Sequence, residues 1–372
     1  MNFLVIPDKF KGSLTALEVI SVVEKTIIKK YPDALVKSVI ASDGGDGFLE
    51  AILELEEVEK KELEALDPLG RPINSYYLFN KKKGEAYIEL ANTSGLVLLN
   101  ENELDPLRTS SFGTGIQIKD ALKSGATKIY IGLGGSATND GGIGIANALG
   151  YRFLDRKGEE LPPIGASLSD IVKIDFTELN NKFHNCSFYA VNDVINPLYG
   201  KDGATFVYGE QKGANEISLE HLESGLRNLD QVVKDNMHLE NAMIKGAGAA
   251  GGAAYGLMTF LGAKFMGGTS FILEKAGVPQ YIENEKVDYL ITGEGKIDSQ
   301  SLQGKLIDGV LELSKSYKIP VIAICGILEI DKEALYKMGV SKILEIRDKT
   351  KPLSYNMENA AELLEKGLKD MF

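Results

Sequence analysis

The sequence predicts an α/β protein: one parallel sheet built from both chain ends, and a second α/β domain with a mixed sheet inserted between them. Three observations predict it. Strand-like runs alternate with helix-like runs at the start of the chain, the same alternation returns at its end, and the middle opens with alternating runs joined by turn residues. In order, FLVI (3–6) reads as a strand and 14–30 as a helix, and the pair repeats at 35–40 and 46–55. Residues 60–66, 73–79 and 86–90 alternate and are joined by DPLGRP and the basic KKKG turn, so they read as antiparallel sheet. KIYIG (128–132) is β-branched and aromatic, residues 143–150 are small and helix-compatible, and 188–191 is again strand-like. The pattern closes with strands at 287–292, 321–325 and 342–346, helices at 301–315 and 332–338, and an amphipathic helix at 356–371. A length of 372 residues fits about two domains with a cleft between them. We place them at 1–66 plus 255–372, and at 67–254.

Composition narrows the function. Lys plus Arg number 41 against 53 Asp plus Glu, a formal charge of −12, which argues against nucleic acid as a partner. No segment reaches ~18 uninterrupted apolar residues and the first ten residues lack a basic leader, so neither membrane insertion nor export is expected. Cys186 and Cys325 lie far apart and outside metal-ligand spacing, as suits a cytoplasmic protein. The three histidines sit in motif-poor surroundings, so the catalytic base is sought among carboxylates.

Glycine, carboxylate and lysine recur at several strand ends. GLGGSATNDGGIG (132–144) falls at a strand-to-helix turn, where glycine permits positive φ or close ligand approach and N–H groups point at anions. Gly134, Gly135, Ser136, Asn139 and Asp140 are therefore binding candidates, a capped tight turn being the alternative. PDKFKGSLTA (7–16) leaves the first strand at the edge where open α/β sheets bind ligands. Asp8 and Ser13 are candidates there and Lys11 a cation for phosphate or carboxylate; otherwise Ser13 caps a helix and the lysines are solvated. SDGGDGF (42–48) offers Asp43 and Asp46, either for hydrated Mg²⁺ or as a solvated acidic turn with Asp46 capping a helix. In TSSFGTG (109–115), Gly113 and Thr114 either seat a small anion at a GTG turn or belong to a capped, buried helix start. Asp193, just after a strand, is a general-base candidate or a loop anchor.

GAGAAGG (246–252), which contains Gly248, formally matches GxGxxG, but AMIK before it makes a poor strand. Close packing or a phosphate turn accounts for it better than NAD. ITGEGKIDSQSLQGKL (291–306) runs from a strand through Gly293, Glu294 and Gly295 to Asp298 and Lys305, with no Walker A spacing. Cradle, metal ligand and base together are what phosphoryl transfer requires. Unit charges ~4 Å apart interact by ~4 kcal/mol at an effective dielectric of ~20, so acidic loops accept an anionic substrate only with metal or lysine between them.

Taken in order, these segments resemble the bacterial glycerate kinase family, type I, over nearly the whole chain. PDKFKGSLTA resembles the family's PDSFKGSLSA, SDGGDG its ADGGEGT, and TSSFGTG its ATTYGTG. DPLGRP, GLGGSATNDGG, NPLYGKDGA, QKGA, GAGAAGG and ITGEGKIDSQSLQGK match in sequence order. The resemblance implies transfer of the ATP γ-phosphoryl group to D-glycerate with Mg²⁺, yielding 2-phosphoglycerate in preference to 3-phosphoglycerate. It also implies two α/β domains, one Rossmann- or flavodoxin-like, with the site between them.

Asp8, Lys11, Asp43, Asn139, Asp140, Asp193, Glu294, Asp298 and Lys305 fall in matching motifs; we assign Asp193 to take the hydroxyl proton, and Lys11 and Lys305 to neutralise phosphate or carboxylate. Asp43, Glu294 and Asp298 are assigned to contact metal or nucleotide. Lys9, Asp46, Phe48 and Asn192 depart from the family's serine, glutamate, threonine and cysteine, and Phe48 and Asn192 are placed to reshape the acid pocket. Small molecules are the expected partners of a monomer or homodimer. The competing readings are an NAD-linked hydroxy-acid dehydrogenase, resting on GAGAAGG, and a noncatalytic nucleotide- or metabolite-binding protein.

Overall fold

A computed structural model of the protein describes residues 1–45, 47–179, 183, 185–298 and 306–372. Its strands are β1 (Asn2–Pro7), β2 (Leu35–Ser38), β3 (Glu59–Leu66), β4 (Pro72–Asn80), β5 (Glu85–Glu89), β6 (Lys128–Gly132) and β7 (Arg152–Leu154). Then follow β8 (Lys173–Asp175), β9 (Ser187–Val191), β10 (Lys264–Met266), β11 (Tyr289–Ile297), β12 (Val321–Leu328) and β13 (Val340–Glu345). The chain divides into two compact units, Met1–Asp43 with Thr269–Phe372, and Gly44–Gly268. The joins thus fall before 66 and after 255, for a packing reason at each end. The helix Phe48–Leu55 belongs to the second unit, where the Leu49 N–H donates to Glu89 at 3.1 Å. Thr269 lies tight against Gly309 of the first, 2.8 Å from where a Cβ would stand.

In the first unit the five strands run in the order β13-β12-β11-β1-β2, all parallel. Counted by position within the unit this is the flavodoxin-like 2-1-3-4-5 order, with the order reversing between β1 and β11. Both chain ends therefore build one parallel sheet, as their patterning predicts. All six residues of β1 are buried, the mark of a strand covered on both faces. The helix Ala16–Lys30 starts where Thr15 accepts the Glu18 N–H at 3.2 Å and Glu18 takes the Thr15 N–H at 2.8 Å. This capping box leaves no cap role for Ser13, whose hydroxyl donates to the Phe10 carbonyl at 2.9 Å. Val19, Ile20, Val23 and Ile27 form its buried stripe, and the C-terminal helix Ala360–Met371 packs beside it.

The second unit holds a mixed sheet in the order β10-β9-β6-β5-β4-β3. β5, β6, β9 and β10 are parallel, while β3 and β4 complete the antiparallel part that alternation predicts. Asp67 fixes the β3–β4 turn: its carboxylate accepts the N–H groups of Leu69 and Arg71, both at 2.9 Å, and pairs with the Arg71 guanidinium. The helix Phe112–Lys123 begins earlier than a GTG turn would allow, with Gly113 and Gly115 inside it. A Cβ on Gly113 would strike the Leu66 carbonyl oxygen, and one on Gly115 would lie 2.6 Å from the Ala148 side chain. These glycines serve close packing. The 22-residue helix Glu216–Met237 buries Leu219, Leu222, Leu226, Leu229 and Val233, and carries no motif. Among the described residues no helix is long and apolar enough to cross a membrane.

Candidate active site

In the first unit a cavity of about 540 Å³ opens at the carboxyl ends of the strands, lined from the switch point by the chain leaving β1 and by the end of β11. The Asp8 N–H donates to the Gly293 carbonyl at 2.8 Å, and the Thr292 hydroxyl to the Ile6 carbonyl at 2.9 Å, so the two strand ends are tied at that point. Gly293 itself is packed against β12, where a Cβ would stand 2.5 Å from the Ile324 carbonyl oxygen. Gly295 allows the β1 loop to pass, since a Cβ there would be 3.0 Å from the Lys11 nitrogen.

Asp8, Lys11, Ser13, Glu294, Gly295 and Asp298 are thereby gathered on one cavity. Asp8 accepts the Lys9 N–H at 2.7 Å, while Asp298 pairs with Lys296 at 3.0 Å, and Lys296 also reaches Glu329 at 3.1 Å. Gly326, Arg347 and Asn356 line the same cavity but lie in stretches without motif signal. Asp43 and Gly293 are not among its lining residues. Lys305 and Asp46 lie outside the described residues.

In the second unit the glycine-rich run leaves β6 and divides into an exposed tip and a buried stem. Gly135, at φ +61°, is exposed, and its carbonyl accepts the Leu96 N–H at 2.8 Å; Ser136 bridges to Gly95. Thr138, Asn139 and Asp140 are fully buried. Asp140 accepts the Ser111 N–H and hydroxyl, both at 2.7 Å, and the N–H groups of Gly142 and Gly144 at 3.0 and 3.2 Å. Burial nevertheless pushes its carboxyl above the usual range, against the pull of those four donors. Asn139 donates to the Thr205 hydroxyl at 3.1 Å. The fully buried Lys212 donates to the Thr138 carbonyl at 2.8 Å, and burial pushes its ammonium down to about 7, opposed by the charge of Asp140.

The remaining candidates of this unit are packed likewise. The Thr114 hydroxyl bonds to those of Thr93 and Ser94, both at 2.9 Å. Gly248 is buried against the Pro197 carbonyl and donates its N–H to Asn196 at 2.9 Å. Asp193 lies two residues beyond β9 and is half-buried, after a buried Asn192 whose N–H donates to Met266 at 3.0 Å.

The model of the glycerate kinase family matches residues 3–372. The chain belongs to that family. It is 38% identical over 346 residues to the glycerate 2-kinase of Escherichia coli K12, covering 93% of this chain and 90% of that one. It is 36% identical to a glycerate kinase of Halalkalibacterium halodurans over 372 residues, covering 100% and 97% of the two chains. A crystal structure assigned as a glycerate kinase 2 of Salmonella typhimurium LT2 superposes with a TM-score of 0.84 at 34% identity, over 100% of this chain and 97% of that one.

As a member of the glycerate kinase family the protein is an enzyme, which removes the noncatalytic reading. The dehydrogenase reading fails for a physical reason as well. GAGAAGG does not follow a strand, as a dinucleotide fingerprint must, but packs its backbone on the β6 loop: the Gly141 N–H donates to the Gly251 carbonyl at 3.1 Å. Among the described residues no group of three or more His, Cys, Asp or Glu is arranged to hold a metal.

Proposed function

We propose that the protein transfers the γ-phosphoryl group of ATP to the 2-hydroxyl of D-glycerate, giving 2-phosphoglycerate and ADP. The observation that carries this reading is the cavity at the β1/β11 switch point, which combines Lys11 with the carboxylates of Asp8, Glu294 and Asp298. The relative named glycerate 2-kinase favours the 2-position.

Mg²⁺ suits this donor set, because it takes one or two carboxylates and fills its remaining positions with water and phosphate oxygens, so no three-ligand cage is needed. Glu294 and Asp298, with Asp8 beside them, are the residues to hold it; when bound, it neutralises charge on the transferring phosphate. Lys11 holds a phosphate oxygen from the loop after β1, and Lys305 is assigned the same task from its motif alone. Asp193, two residues beyond β9, is assigned the proton of the attacking hydroxyl from its motif alone. Two free cysteines and ATP dependence suit the cytoplasm. Phosphorus NMR of the product made from D-glycerate and Mg-ATP tests the reading. A 2-phosphoglycerate resonance is expected; a 3-phosphoglycerate resonance overturns the regiochemistry, and no phosphoglycerate overturns the reaction.

A further inference from the structure

We propose that the cavity at the β1/β11 switch point is a nucleotide pocket in which Arg347 grips a phosphate and an apolar wall from the C-terminal helices holds the nucleoside. Arg347 lies two residues beyond β13, at the same carboxyl edge as Lys11, and both line the cavity. Its Nε is buried and has no hydrogen-bond partner among the described residues. Among the described residues Arg347 forms no ion pair, and carboxylates next to it in the chain or across the cavity have other partners. Glu345 pairs with Lys349 at 2.9 Å, Asp348 accepts the Thr350 N–H at 2.9 Å, and Asp298 pairs with Lys296 at 3.0 Å. A half-buried guanidinium with no ion pair among the described residues calls for an anion from a ligand, and its planar fork matches phosphate.

The apolar lining identifies the rest of that ligand. Phe10, Ile327, Ile346, Met357 and Leu363 line the cavity, and Leu353 stands 50% exposed beside them. A solvent-facing leucine on the same cavity as Arg347 and Lys11 fits a molecule with one anionic end and one flat apolar end. The cavity volume of about 540 Å³ also exceeds what a three-carbon acid fills. It lies within the ~300–1,000 Å³ usual for small-molecule pockets, which leaves room for a nucleotide. A nucleoside di- or triphosphate meets both conditions.

This deepens the ATP reading above and rests on it, yet the two can fail separately. Calorimetric titration of the full-length protein with ADP, adenosine and D-glycerate tests the pocket, using wild type, Arg347→Gln, Arg347→Lys and Leu353→Asp. Loss of a charge-assisted contact predicts ADP affinity reduced by about tenfold or more in Arg347→Gln, with adenosine unchanged and partial recovery in Arg347→Lys. Leu353→Asp weakens ADP and adenosine together and leaves D-glycerate unaltered. ADP binding equal to wild type in both the Gln and Asp variants overturns the proposal, as does a loss confined to D-glycerate. Should Arg347→Gln fail to fold, the exposed Leu353 variant decides alone. A wild type that binds ADP through these residues but makes no phosphoglycerate ends the kinase reading and leaves the pocket standing.

Discussion

At the scale of single residues, the chain hides charge in places where residue type alone suggests ligand chemistry. Asp140 and Asn139 have the look of a binding pair in a glycine-rich loop, but both are fully buried, and Asp140 spends its two oxygens on four internal donors. Its partner in electrostatics is Lys212, which the loop's own Thr138 carbonyl holds at 2.8 Å. The folded lysine sits at about 7, whereas an unfolded lysine titrates near ~10.4. Between those values the unfolded chain binds a proton that the folded chain does not, so stability rises with pH across the window and is level below it. Lys212→Met removes this contribution. The urea midpoint of wild type minus that of the variant is therefore expected to grow from pH ~7 to ~10. A difference that stays constant over that range contradicts the assignment.

At the scale of elements, two glycine-rich runs of the second unit are fitted to each other. Gly251 has φ +64°, and a Cβ on it would strike the Thr138 carbonyl oxygen, the same atom that Lys212 grips. Left-handed strain and overpacking add, so Gly251→Ala is expected to cost about 2–4 kcal/mol in urea unfolding. A cost below ~1 kcal/mol in that measurement shows that the loops move apart without penalty. The same pair explains what the sequence could and could not reveal. β1, β11 and β12 were legible because a strand buried on both faces is written as an unbroken apolar run, and the β3–β4 turn because Asp67 and Gly70 are turn residues by chemistry. For Gly113, Gly248 and Gly251 the sequence left packing and ligand readings open, because a backbone needing room for a ligand and one needing room for another backbone both delete the Cβ. Arg347 was invisible for the opposite reason: what marks it is a buried Nε without a hydrogen-bond partner among the described residues, which no local pattern records. The helix Glu216–Met237 was readable from its three- and four-residue leucine spacing, but it carries no chemistry to draw a motif-led reading toward it.

At the scale of the whole molecule, the two units differ in how their chains are supplied. Among the described residues two large apolar clusters, one around Ile88, Ile131 and Leu257 and one around Phe153, Leu226 and Tyr255, lie wholly within Gly44–Gly268. That stretch holds a complete core. The first unit is discontinuous: β1 pairs Phe3 with Tyr289 and Pro7 with Gly293, so its sheet closes only after the entire second unit has been laid down in sequence. Three of its five strands, β11, β12 and β13, come after residue 268. A chain cut after Gly268 keeps β1 and β2 but loses the neighbour of β1 on one side, and a lone two-stranded ribbon is marginal in water. Hydrogen exchange on the 1–268 fragment is therefore expected to show protected amides across β5, β6 and β9, and free exchange across β1 and β2. Protection of β1 in the fragment contradicts the dependence on β11, and loss of protection in β6 contradicts an independent core. The expected pattern makes the kinase fold a self-sufficient second unit that forms first, with the five-stranded parallel sheet completed only when the C-terminal strands arrive.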